Sequence, residues 1–147
     1  MIYIFDGTLE GLLTAVFEWF ERKPGPAILK SKEIHQPDAF MPSFEVLTDR
    51  EKADRVWKGM TKKLDRAWMR RAYCSYLSEL PQIHHDLFQF IIYIFQSPNG
   101  AEQNYGHPQV LSITQILSLI VYITRRRLLG DILESLALSF RACSSRI

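Results

Sequence analysis

The densest chemistry in this sequence is cationic. Arg55, Lys58, Lys62, Lys63, Arg66, Arg70 and Arg71 follow one another with only Asp54 and Asp65 opposing them locally. Arg55, Lys58, Lys62 and Arg66 are spaced three or four apart, so they share one face if a single helix runs through them without a sharp break. Trp57, Trp68, Tyr73 and Tyr76 lie among them. Cations with aromatic rings nearby suit a phosphate backbone and unstacked bases. A solvated helix face with its aromatics in the core is an equally ordinary reading. Arg125-Arg126-Arg127 either extends this patch or complements a helix C-terminus.

Two other stretches offer chemistry. Asp6-Gly7-Thr8 joins an apolar run to a patterned helix, and free N–H groups at such a helix start can hold an anion. The stretch lacks the Lys-Ser/Thr of a P-loop and the third Gly of a dinucleotide fingerprint, so a capped turn is the simpler reading. Asn104-Tyr105-Gly106-His107-Pro108 combines hydrogen-bonding groups and rings with a constrained backbone, as functional loops often do. On spacing alone, a loop leading into a helix with its Tyr packed inward is the simpler reading. Asp6 and His107 are the candidate acid–base residues, and they would have to converge within hydrogen-bond reach. His84-His85-Asp86 resembles a metal cluster, but adjacent residues point about 100° apart on a helix. Capping or surface histidines are expected there, and no metal or other cofactor is. No G-x-S-x-G elbow and no zinc-deaminase H-x-E with P-C-x-x-C occurs.

These residues must be positioned by secondary structure that the pattern indicates. Residues 1–5 read as a short buried strand, and Asp6-Gly7-Thr8 as turn and cap. A helix over Leu9–Arg22 places Leu9, Leu12, Leu13, Val16, Phe17 and Phe20 on one stripe, opposite Glu10, Thr14, Glu18 and Glu21. Lys23-Pro24-Gly25-Pro26 stops it. Ala27–Lys30 and Phe44–Leu47 are strand candidates, and Thr48-Asp49-Arg50-Glu51 reads as a capping box. Helices follow over Asp49–Lys63, burying Ala53, Val56, Trp57 and Met60, and over Asp65–Ser78, with apolar surface from Trp68, Ala72, Cys74, Tyr76 and Leu77. Two more cover Gln82–Gln96 and Pro108–Arg126, and Asp131–Ala142 could form a last one. The fold class is α+β, mainly α, with about five helices and a small sheet of two or three strands.

A chain of 147 residues is one domain, and its 47% hydrophobic and 23% charged residues fit a globular core. A net charge of +2 says less than the clustering of that charge. Cys74 and Cys143 are too few for a disulfide framework or a cysteine metal site, so a reduced, cytoplasmic protein is expected. No stretch reaches the roughly 20 uninterrupted apolar residues of a membrane span, and no membrane association is expected.

The segments "YIFDGTLEGLLTAVFEWFERK", "VLTDREKADRVWKGM" and "NYGHPQVLSITQI" resemble, in order and spacing, a bacterial family described as DNA metabolism proteins, a domain of unknown function. The resemblance covers roughly residues 1–116. Asp6, Gly7, Asn104, Tyr105 and Gly106 match its pattern. It implies a DNA context, with a radical-SAM protein of DNA modification or repair, or a uracil-DNA glycosylase-like domain, as partner. It supplies no established catalytic residues. Residues 117–147 diverge from the family, so the chain reads as the N-terminal part of a longer family domain, truncated or frameshifted before its later strands. The expected function is a non-catalytic, DNA-associated accessory domain whose basic helical face binds phosphates. An enzyme acting on a nucleobase or nucleotide, and a protein-interaction module, are the alternatives.

Overall fold

The computed structural model describes residues 1–36, 40–116, 118–120 and 122. Its elements are β1 (Ile2–Phe5), α1 (Leu9–Arg22), β2 (Ile28–Ser31), β3 (Ser43–Glu45), α2 (Arg50–Lys63), α3 (Arg66–Leu77) and α4 (Pro81–Gln96). A 3₁₀ turn at Ala101–Gln103 leads to α5, which opens at residue 108. The architecture is α+β, mainly α, with five helices and one three-stranded parallel sheet among the described residues. Asp131–Ala142, Arg125-Arg126-Arg127 and Cys143 lie outside the described residues.

The sheet has the order β2-β1-β3. Two parallel strands need a crossover, and α1 supplies the one between β1 and β2. Tyr3 pairs with Leu29 on one side and Phe44 on the other, so these three residues share a face. Phe88 of α4 meets the Tyr3 ring and His84 meets the Phe5 ring edge-on, while Arg22 of α1 sits 3.9 Å over the Phe44 ring. Helices α1 and α4 therefore cover this face. The opposite face carries Ile28, Lys30, Ser43 and Glu45 on the outer strands, all exposed, but at its centre Ile2 is buried and Ile4 half-buried, and an exposed Lys32–Glu45 ion pair crosses near it.

The outer edge of β2 is closed by side chains. Leu29 N–H donates to His85 Nδ1 at 3.2 Å, and Gln89 Nε2 donates to the Ala27 carbonyl at 2.7 Å. Both acceptor and donor come from α4, so an edge that could otherwise recruit another strand is occupied. His84 and His85 thus hold the fold together, where capping or surface roles were expected. They diverge as helical geometry requires: His84 Nε2 contacts the Tyr76 carbonyl, 3.1 Å away, on the other side of α4.

Helix α1 is more deeply buried than its stripe predicts. Thr14 and Glu18, expected on its polar face, are both buried. The reason is that α2 packs along that face. Thr14 Oγ1 donates to Glu10 and Asp49 carbonyls, and Glu18 takes Lys52 and Arg22 as ion-pair partners. Burial of the Glu18 carboxyl would raise its pKa, but the bonds from Lys52 and Arg22 outweigh that and hold it below the usual glutamate value. The start of α2 also differs from expectation. Its N-cap is Asp49, which accepts from Glu51 N–H and Lys52 N–H, so no capping box forms at Thr48. Thr48 is drawn instead to Asp6. Leu77, assigned to the core by pattern, is 55% exposed, because α3 ends there and the chain turns through Glu79 at φ 55°.

Candidate nucleic-acid interface

The basic run does not lie on one continuous helix. Met60 accepts the last backbone bond of α2 from Leu64, the chain turns extended there, and Asp65 starts α3 by accepting from Trp68 N–H at 2.8 Å. Arg66 therefore does not continue the helical face of Arg55, Lys58 and Lys62, because the helix is broken at Leu64–Asp65. What remains is two adjoining sets. Arg55, Lys58 and Lys62 are exposed on α2, three and four residues apart. Arg66 and Arg70 are exposed on α3, four apart. Among the described residues none of these five is ion-paired.

The other two cations belong to the fold. Lys63 Nζ donates to the Ile94 and Ser97 carbonyls at 2.9 and 2.7 Å, and to Phe95 at 3.4 Å. These are the orphan carbonyls at the end of α4, where a cation is favoured. Arg71 lies 4.7 Å over the Trp68 ring. Lys63 and Arg71, read with the basic run, thus each make contacts within the fold that the other five do not.

The aromatics divide in the same way. Trp68 is buried, stacked on Phe90 with Tyr105 tilted against it. Tyr76 stacks on His84, and its hydroxyl donates to the Gly7 carbonyl at 3.0 Å. Trp57 and Tyr73, by contrast, have no ring partner among the described residues. Both line a groove of about 510 Å³ between α1, α2 and α3, with Arg66 and Arg70 at it and Leu13 and Ala53 in its floor. Glu10 and Asp54 line it too, so the groove is balanced in charge while the adjacent outer face of α2 is basic. Sequence spacing identified the residue types here. It could not select Trp57 and Tyr73 from the four aromatics, because that depends on which ring α4 claims. Glu10, on another helix, was assigned only to a polar face.

Asp6 occupies a different place, at the carboxyl end of the central strand. Its Oδ1 accepts from Thr8 N–H at 2.9 Å and Thr8 Oγ1 at 2.6 Å, and its Oδ2 accepts from Thr48 Oγ1 at 2.6 Å. Burial pushes its pKa up, but these bonds together hold it below the usual aspartate value. Thr8 in turn caps α1 by accepting from Gly11 N–H at 3.0 Å. Gly7 adopts φ 86°, a conformation that suits glycine in this turn. The carboxylate is thus committed to joining the β1–α1 turn to the start of α2. A cleft of about 500 Å³ opens beside it, lined also by Glu33, Glu79 and His84.

His107 lies elsewhere. Its ring stacks on Tyr93, with centroids 3.7 Å apart. Tyr93 is nine residues beyond His84 on α4 (84 to 93), which places it about 13 Å along the helix from the Asp6 cleft. With Asp6 bonded to Thr8 and Thr48 and His107 stacked on Tyr93, the two side chains make no hydrogen bond with each other among the described residues. Of the remaining motif residues, Asn104, Tyr105 and Gly106 are exposed in the loop before α5. Among the described residues no group of His, Cys, Asp and Glu could hold a metal ion. Among them, too, no helix is long and apolar enough to cross a membrane.

Comparison of the chain with protein-family models, with curated proteins and with solved structures finds no match.

Proposed function

We propose that this protein is a DNA-associated accessory domain, non-catalytic, that holds nucleic acid on the outer face of α2 and the start of α3. The observation that carries this reading is that Arg55, Lys58, Lys62, Arg66 and Arg70 are all exposed and without an ion-pair partner among the described residues. Of the other described cations, Lys52, Lys32 and Arg22 are each matched to a carboxylate while Lys23, Lys30 and Arg50 are exposed without one; the five are set apart by their three- and four-residue spacing on α2 and α3. Unpaired cations beside one another bind phosphates by releasing condensed counterions, and that gain is lost as salt rises. The resemblance to the DNA metabolism family supports DNA as the polyanion. It also suggests a radical-SAM or uracil-DNA glycosylase-like protein as the enzyme served.

Fluorescence anisotropy with labelled single-stranded and duplex DNA tests the reading. Binding is expected at low salt, weakening steeply between 50 and 200 mM, on the order of tenfold or more for several phosphate contacts. Reversing Lys62, Arg66 and Arg70 to Glu should abolish it while circular dichroism stays unchanged. Absence of binding to either DNA at low salt would refute the proposal.

A further inference from the structure

The groove between α1, α2 and α3 has a composition that a polyanion-binding face does not require. Its two rings, Trp57 and Tyr73, are left unstacked in a molecule where Trp19, Phe20, Trp68, Tyr76, Tyr93 and Phe95 all have ring partners. Trp57 packs partly against the core and is half-buried, and Tyr73 is 45% exposed, so Tyr73 offers the freer surface to the groove they both line. Arg66 and Arg70 stand beside them, without an ion-pair partner among the described residues. So do two carboxylates, Glu10 and Asp54, which accept no side-chain hydrogen bond among those residues. A duplex keeps its bases stacked and presents phosphates, and a pair of carboxylates would only repel it. A single strand presents a base face, a phosphate and base-edge donors together.

We propose that this groove binds one unstacked, amino-bearing nucleobase of a single strand. The base face lies against Trp57 and Tyr73, and its phosphate meets Arg66 and Arg70. Its exocyclic amino group donates to Asp54 or Glu10. Adenine and cytosine present such a donor, whereas thymine presents a carbonyl oxygen at the corresponding position. A carboxylate therefore favours the first two and disfavours the third. Stacking on an aromatic side chain is tolerant of sequence, so the carboxylates set the preference and the rings set the affinity. This inference rests on the reading of the α2–α3 face as a nucleic-acid surface, and it adds a preference for single strands and for amino-bearing bases.

The experiment uses the full chain with labelled dA, dC and dT 12-mers and a mixed-sequence duplex 12-mer, in low salt. The dA and dC strands should bind more tightly than both dT and the duplex. Trp57→Ala and, separately, the more exposed Tyr73→Ala should each weaken the single strands by about fivefold or more and leave the duplex unchanged. Asp54→Ala combined with Glu10→Ala, which removes both acceptors, should erase the preference for dA and dC over dT without weakening dT. If the duplex binds as tightly as the strands and both ring variants leave every affinity unchanged, the groove is not a base site. The surface reading would then still stand, provided reversal of Lys62, Arg66 and Arg70 abolishes binding. If nothing binds at low salt, both fall together.

Discussion

At the scale of the residue, the most constrained position is Gly11. A Cβ built there would lie 2.1 Å from Asp6 Oδ1 and 3.1 Å from Thr48 Oγ1. The carboxylate has little room to yield, because three hydrogen bonds hold it to Thr8 and Thr48. Helix propensity alone would make Gly11→Ala stabilising by up to about 1 kcal/mol. The contact with Asp6 reverses the sign, and a loss of about 1–3 kcal/mol is expected, typical of a broken polar network. Chemical denaturation of wild type, Gly11→Ala, Asp6→Ala and the double variant decides it. The double variant should cost less than the sum of the singles, since removing the carboxylate removes the clash. A stabilised Gly11→Ala would show that Asp6 is free to move.

At the scale of the element, adjacent lysines on α2 have separate tasks. Lys62 faces solvent, while Lys63 neutralises the end of α4 through three carbonyls. Lys63→Ala should therefore lower stability by about 1–2 kcal/mol, as expected of a partly buried cation at a helix C-terminus. Lys62→Ala should leave stability within about 0.5 kcal/mol, as for surface substitutions. DNA affinity should respond in the opposite order, with Lys62→Ala the more harmful. Thermal melts and anisotropy on the two variants give both readings, and equal stability losses would contradict the assignment. The strands and helices themselves were well marked in the chain. The Leu9–Arg22 helix has the boundaries its apolar spacing predicts, because Thr8 caps it and Pro24-Gly25 follows it. The start of α2 was misplaced by one residue, since the competing partner of Thr48 was Asp6, 42 positions away.

At the scale of the whole molecule, stability depends on pH at two points. His85 accepts the Leu29 N–H through Nδ1, so the ring must be neutral at that nitrogen. Burial lowers its pKa, and Asp86 only partly opposes this. The unfolded chain then binds the proton more readily, so stability is full above about pH 6.5 and declines as pH falls below it. The Glu18 pKa is depressed in the fold, so its contribution is present above about pH 4.5 and is lost on further acidification. Urea denaturation across pH 2–8 should show stability falling in two stages. His85→Gln should flatten the first and Glu18→Gln the second. A profile unchanged by His85→Gln would mean that the bond closing the β2 edge carries no weight.

What the amino-acid order determined by itself is local: strand, turn, the extent of α1, and the presence of cations and rings between positions 55 and 76. Periodicity and capping chemistry act between neighbours, so they are legible without coordinates. What tertiary structure decided is which of those groups are left over. Lys63 and Arg71 were taken by the end of α4 and by Trp68, Trp68 and Tyr76 by Phe90 and His84, and Asp6 by Thr48. Each of these partnerships except Arg71 on Trp68 joins residues from different elements. The candidate site is therefore defined by what packing leaves open: five cations on α2 and α3, the exposed Tyr73, and the half of Trp57 that is not packed on the core, at a groove that also borrows Glu10 from α1. Neither one helix nor its pattern contains that information, because competition for partners is settled only when all the helices are in place.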